Sequence, residues 1–208
     1  MIPNHKFRAR SANGSNSLRI IAGLWRGRRV SFPDVQGLRP TPDRVRETVF
    51  NWLQTLVISE DCLDLYAGSG ACGFEALSRG ARSVTFVDAS STACQHIRDN
   101  LQILQRAPGY HGSAQVVQSR AENWLSGGHS ARQFGLVFLD PPFADGVLIE
   151  CCRQLQESGA LKSGAHIYVE SGDALPIAGQ TAGFPPHWQL LKNKRAGKVF
   201  YGLYRSEP

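Results

Sequence analysis

From residue 61 onward the chain changes hydrophobic period at regular intervals. Short apolar runs of strand length at 61–65, 83–88, 114–118, 135–140 and 165–169 alternate with segments whose apolar residues recur at helical spacing, at 73–79, 90–104, 121–126 and 146–157. This alternation predicts a mostly parallel sheet with helices on both faces. The end breaks the rhythm. W-Q-L-L-K-N-K-R-A-G-K-V-F-Y-G-L-Y-R, residues 188–205, reads as two strands joined by a turn near Ala196-Gly197. Ahead of residue 61, L-R-I-I-A-G-L-W-R-G-R-R-V-S-F (18–32) gives two short apolar runs around a Gly-Leu-Trp-Arg-Gly turn, a β-hairpin. T-P-D-R-V-R-E-T-V-F-N-W-L (41–53) opens with a Thr cap and a Pro at the first helical position. It sets Val45, Val49, Trp52 and Leu53 on one stripe of an amphipathic helix.

At 208 residues, 42% of them hydrophobic, the chain suits one sizeable α/β domain with a small appendage. The expected division is a disordered tail over 1–17, a basic hairpin and helix over 18–58, and the α/β domain over 59–208. No apolar run approaches the ~20 residues of a membrane span, and the N-terminus lacks the apolar core of a secretory signal. The expectation is a cytoplasmic protein that does not engage membranes. Five cysteines, at 62, 72, 94, 151 and 152, make no C-x-x-C pair. With six scattered histidines they indicate structural thiols and no metal.

The net charge of +6 is uneven. Residues 1–46 hold ten Lys or Arg against Asp34 and Asp43, a net +8, which leaves −2 for the remainder. An arginine-rich block of this kind points to phosphate contacts, with Arg19, Arg26, Arg28 and Arg29 projecting from the hairpin beside the cofactor face. A merely solubilising patch is the alternative.

C-L-D-L-Y-A-G-S-G-A-C-G-F-E-A-L (62–77) is strand, glycine-rich turn and helix. Gly68, Gly70 and Gly73 satisfy G-x-G-x-x-G, a dinucleotide signature. Asp64, four residues before the first glycine, would repel a pyrophosphate and suits a cationic group. Asp88, closing S-V-T-F-V-D, is placed to accept ribose hydroxyls. A ligand with a ribose at one end and an ammonium and a sulfonium at the other fits both acids, and S-adenosylmethionine is that ligand. Taken singly, the acids are equally well helix caps and the glycines turn formers.

V-F-L-D-P-P-F-A-D-G (137–146) drives a strand into two prolines, which cannot continue it. In a doubly wound sheet, ligands sit at the carboxyl ends of the strands, where Asp64, Asp88 and Asp140 all fall. An exocyclic base amine is a poor nucleophile because its lone pair is delocalised into the ring. The Asp140 carboxylate and the Pro141 carbonyl can each accept one of its N–H groups, localising the lone pair toward a methyl donor. Pro141 and Pro142 supply rigidity, and Phe143 a stacking face. The target base must be unpaired or flipped.

These blocks, with G-L-R-P-T-P-D-R-V-R-E-T-V-F-N-W-L and I-Y-V-E-S, resemble the RsmD family of bacterial 16S ribosomal RNA guanine-N2 methyltransferases from about Leu18 to Arg205. The resemblance implies a Rossmann-like class I methyltransferase with a seven-stranded sheet, S-adenosylmethionine as donor, and a guanine of small-subunit ribosomal RNA as acceptor; a monomer without metal is the expectation beside it. It also implies a cofactor set: Asp64, Tyr66, Ala67, Gly68, Ser69 and Gly70 in the glycine loop, Asp88 and Ala89 at the ribose, and Ala121 beside the adenine. Arg39 and Thr41 match a segment closing from the N-terminal side. Cys72 and the uncharged V-D-A-S-S after Asp88 depart from the pattern. The motif residues leave open an adenine-N6 or DNA amino-methyltransferase, and a non-catalytic RNA-binding assembly factor on the same fold.

Overall fold

The computed structural model describes residues 15–33, 41–127, 133–143 and 147–207. Strands β1 (Ser15–Arg19) and β2 (Arg29–Pro33) pair antiparallel and lead into helix α1 (Asp43–Trp52). The main unit then runs β3 (Asp61–Leu65), α2 (Ala71–Ser78), β4 (Ser83–Asp88), α3 (Ser91–Leu104), β5 (Ser113–Gln118), α4 (Ala121–Ser126), β6 (Phe134–Leu139), α5 (Val147–Glu157), β7 (Leu161–Ser171), β8 (Trp188–Ala196) and β9 (Val199–Ser206). Seven strands form one sheet in the order β5-β4-β3-β6-β7-β9-β8. The first five are mutually parallel, and β9 pairs antiparallel with both β7 and β8. This is the mostly parallel sheet with helices on both faces that the alternation predicts, and its seven strands in a Rossmann-like order are those the resemblance implies. Its strand order reverses between β3 and β6, the switch point where such sheets open a crevice at their carboxyl edge.

Two apolar layers hold the helices to the sheet. On one face Phe86, Phe138, Tyr168 and Tyr201 pack under α1, α2 and α3. On the other Leu65, Val137, Ile167 and Tyr204 pack under α4 and α5. The central strands β3, β4 and β6 are buried on both sides, which is why their sequences read as continuous apolar runs. All five cysteines are buried free thiols.

The N-terminal hairpin contributes Leu18, Ile20, Trp25, Val30 and Phe32 to the first layer. Polar groups fix its position. The Glu75 carboxylate on α2 accepts from Ile21 N at 2.8 Å and Ala22 N at 3.0 Å. Arg79 Nε donates to it at 2.8 Å, and the buried Arg46 guanidinium lies 3.7 Å away. Arg46 in turn donates to Arg19 O, Thr41 O and Asp43 Oδ1. Asn100 of α3 makes a two-way exchange with the Ser31 backbone.

Four expectations need correction. Ser15–Ser17 belong to β1, so the tail is shorter than 1–17, and residues 1–14 lie outside the described residues. Thr41 does not cap α1: Pro42 takes the N-cap position, and the Thr41 hydroxyl donates to Glu170 at 2.8 Å instead. A partner on another element outcompetes the local backbone for that hydroxyl. The fifth strand of the parallel run, β7, is eleven residues long, not five, because pairing with β6 carries L-K-S-G into the ladder across an irregularity near Gly135. Finally, the hairpin turn does not lie beside the cofactor face. Leu24 N and Trp25 N donate to Ser78 at the C-terminal end of α2, and Trp25 packs 5.1 Å from Tyr110 in the loop before β5. Both belong to the amino edge of the sheet.

Candidate active site

Four strands of the sheet end in an acid at the carboxyl edge: Asp64 in β3, Asp88 in β4, Asp140 just after β6 and Glu170 in β7. The register explains their convergence. Leu65 pairs with Leu139 and Leu139 with Val169, so one residue further along the parallel strands sets Asp140 beside Glu170.

The glycine loop is built around two of these acids. Tyr66 and Gly70 both take positive φ, 69° and 74°, and Gly70 turns the chain into α2 as its N-cap. A Cβ at Gly73 would overlap the Phe86 ring, so glycine lets α2 sit directly on β4. Asp64 Oδ2 accepts from Gly73 N at 2.9 Å. Asp88 accepts from Gly68 N at 2.7 Å and Ser90 N at 2.8 Å, one bond on each oxygen. Each oxygen keeps a lone pair for a further donor.

Burial dominates the electrostatics. It pushes the Asp64 carboxyl up to about 7, with the Asp88 charge adding to the rise and the Gly73 N–H opposing it. Burial also drives Asp140 well above the carboxylate range, reinforced by the Glu170 and Asp64 charges. Glu170 is raised by burial against hydrogen bonds from Thr41 and Tyr168, each 2.8 Å to Oε1. A cluster of carboxyls with raised proton affinity and, among the described residues, no cation paired with them is a site that a cationic ligand relieves.

Beyond Asp140, Pro141 is buried while Pro142 and Phe143 are exposed. The Phe143 ring is 57% exposed, rests over Gly172 and stands at a cavity of about 270 Å³ that Glu170, Ser171 and Ile149 also line. Of the other residues singled out from sequence, Ala67, Ser69 and Ala121 are buried and Ala89 is exposed. The Tyr66 hydroxyl turns away, donating to Cys151 Sγ at 3.5 Å. Thr41 joins the cluster through Glu170, while Arg39 lies outside the described residues. Arg19, Arg26, Arg28 and Arg29 are all exposed. Glu170 was the residue that sequence reasoning did not single out, although I-Y-V-E-S carries the same signal as L-D-L and F-V-D: an acid closing an apolar strand.

A family described as Conserved hypothetical protein 95 matches residues 18–205, which include every acid of this edge. The chain belongs to that family. It is 42% identical over 207 residues to Ribosomal RNA small subunit methyltransferase D of Escherichia coli (strain K12), a match covering 99% of this chain and 94% of that protein. To the protein of the same name from Haemophilus influenzae it is 41% identical, over 93% of this chain and 96% of the other. Among solved structures, yhhF from Escherichia coli superposes with a TM-score of 0.79 at 42% identity, over 92% of this chain and 99% of that one. The match to these members spans the hairpin, α1 and the sheet alike.

Proposed function

We propose that the protein transfers the methyl group of S-adenosylmethionine to the exocyclic N2 amine of a guanine in the 16S RNA of the small ribosomal subunit. The observation that carries this reading is the convergence of Asp64, Asp88 and Asp140 on one sheet edge, beside a rigid Pro-Pro-Phe segment. Two relatives at 41–42% identity named Ribosomal RNA small subunit methyltransferase D support the substrate class.

The residues fit the donor. Asp64, buried with one backbone partner, suits the cationic methionine end, and Asp88 has lone pairs left for the ribose hydroxyls. The backbone from Tyr66 to Gly70 would follow the cofactor, with Ala89 and Ala121 at the ribose and adenine. When bound, S-adenosylmethionine supplies an electrophilic methyl on a sulfonium. Asp140 and the Pro141 carbonyl hold the two N2 hydrogens, which aligns the nitrogen lone pair with that methyl. As the N–C bond forms, N2 must lose a proton. The raised proton affinity of Asp140, sustained by Glu170, suits it to take that proton. Phe143 stacks on the base. Segment 18–58 contributes Thr41 to closing the site, and its exposed arginines reach outlying RNA phosphates.

Incubating subunits that lack the modification with labelled donor, then digesting the RNA to nucleosides, tests the reading. N2-methylguanosine in the small-subunit RNA is the expected product. N6-methyladenosine would replace the acceptor, and no label at all would remove the activity.

The Asp64 environment makes a second expectation. Its carboxyl is raised from 3.8 to about 7. Between those values the folded protein holds a proton that the unfolded chain has released, so this group's stabilisation is present below pH 4 and lost as pH rises through 7. Affinity for a cation runs the other way. Calorimetric dissociation constants for S-adenosylmethionine should be about tenfold weaker at pH 6 than at pH 8, the factor for one pH unit below a carboxyl titrating near 7. Asp64→Asn should abolish this dependence. A flat profile in the wild type removes Asp64 from the cationic end.

A further inference from the structure

The arginine-rich N-terminal turn lies at the amino edge, while the acceptor pocket opens at the carboxyl edge. Strands of five or six residues span roughly 17–20 Å, so that turn is about one strand length from the base being methylated. A second basic hairpin stands at the correct edge. From Trp188 to Arg205 the chain holds five cations and no acid, and four of them, Lys192, Lys194, Arg195 and Lys198, crowd into the tip of the β8–β9 hairpin.

The register carries that tip across the sheet to the pocket. Glu170 of β7 pairs with Tyr201 of β9, which pairs with Lys194 of β8. Ser171, which lines the cavity beside Phe143, pairs with Phe200, which pairs with Arg195. Two strand spacings of about 4.8 Å set the Lys194 and Arg195 backbones on the order of 10 Å from the pocket wall. That matches the reach of a nucleotide or two on either side of a flipped base.

The cations are free to act. All four are exposed, and among the described residues none is in an ion pair. Arg195 is also preset: its guanidinium lies 4.8 Å from the Phe200 ring centroid, and its Nε donates to Gly197 O at 2.9 Å. Lysines on an edge strand also discourage sheet-to-sheet pairing, but charges serving only that purpose would run the length of β8. Here Trp188–Leu191 is uncharged, the ladder is irregular between Leu190 and Lys192, and every charge follows that break.

We propose that the tip of the β8–β9 hairpin is the phosphate clamp for the RNA strand that carries the acceptor base, gripping its backbone with Lys192, Lys194, Arg195 and Lys198. This rests on the RNA methyltransferase reading above and names the surface that presents substrate to that site. The N-terminal arginines then serve only distant, less selective contacts.

The test is the fourfold variant K192Q/K194Q/R195Q/K198Q, compared with R26Q/R28Q/R29Q. Binding of a labelled single-stranded RNA is measured against salt, and methylation of small subunits against subunit concentration. Four contacts at about 0.7 each should lower the salt slope of the fourfold variant by roughly three. Its KM for subunits should rise at least about tenfold, with kcat and S-adenosylmethionine affinity unchanged. The arginine variant should raise KM by less.

A fourfold variant with wild-type slope and KM overturns the proposal. So does one whose slope falls while KM holds, since that would make the patch a general RNA attractor. Salt-dependent RNA binding through this tip in a wild-type protein that methylates no subunit RNA would sink the enzymatic reading and leave an RNA surface standing. If melting shows the fourfold variant unfolded, the separate pairs K192Q/K194Q and R195Q/K198Q carry the same comparison, each with half the change in slope.

Discussion

Asp140→Ala is expected to slow methyl transfer by about 100- to 10,000-fold, the range for losing a positioned proton acceptor, while the protein still folds and binds S-adenosylmethionine. The side chain sits just past β6, half-buried, with Asp64 and Glu170 as charged neighbours and no protein hydrogen-bond donor among the described contacts. Removing it deletes no structural hydrogen bond and relieves repulsion, so stability should hold or rise. The loss falls on the acceptor amine. Asp140→Asn sharpens the reading, because an amide still accepts one N–H but cannot take the departing proton. Single-turnover rates with saturating donor and subunits measure this directly. A rate near wild type in either variant sinks the proposed role.

Glu75→Ala should cost about 3–5 kcal/mol, the range for breaking a buried ion pair on one side. Glu75 is fully buried and serves four partners at once: Ile21 N, Ala22 N, Arg79 and the buried Arg46. Its removal leaves two backbone donors without acceptors and the Arg46 guanidinium, 1% exposed, with the exposed Asp43 as its remaining carboxylate partner. For a chain of this size each kcal/mol is worth about 2–4 °C, so the melting midpoint should drop by roughly 6–20 °C. Glu75→Gln keeps an acceptor and should lose less. A midpoint within about 2 °C of wild type would mean that the hairpin docks without this carboxylate. The consequence reaches the active site, since Arg46 also donates to Thr41 O, and the Thr41 hydroxyl holds Glu170.

The layered fold was legible because its signals are periodic and local. Buried parallel strands are apolar throughout, and α3 announces itself with a Ser90 cap and a buried stripe at Cys94, Ile97 and Leu101. Three of the four acids at the carboxyl edge were legible for the same reason, each closing an apolar run. What local signals could not supply was the orientation of one element on another. Arg46 stands within an Arg-rich block that reads as a phosphate-binding surface, yet it is among the largest fully buried side chains. Asp43, three residues away, is a local partner, but only the folded chain shows that Glu75, in the helix after the glycine loop, is the buried one. The N-terminal turn failed for the same cause: its sequence specifies a basic hairpin and says nothing about which edge of the sheet receives it. Lys192–Lys198 were read as part of a strand pair, and their importance follows only from the register that aligns Lys194 with Glu170.

The hydrogen bond from Thr41 to Glu170 joins residues 129 positions apart in the chain. During synthesis, at about 5–20 residues per second, Thr41 is added to the chain roughly 6–26 seconds before Glu170. The hairpin can dock on α2 and α3 during that interval, but the wall of the site cannot close until β7 has emerged and settled beside β6. A nascent chain interrupted before residue 170 therefore has a scaffold and lacks the wall that Glu170 contributes to the carboxyl edge.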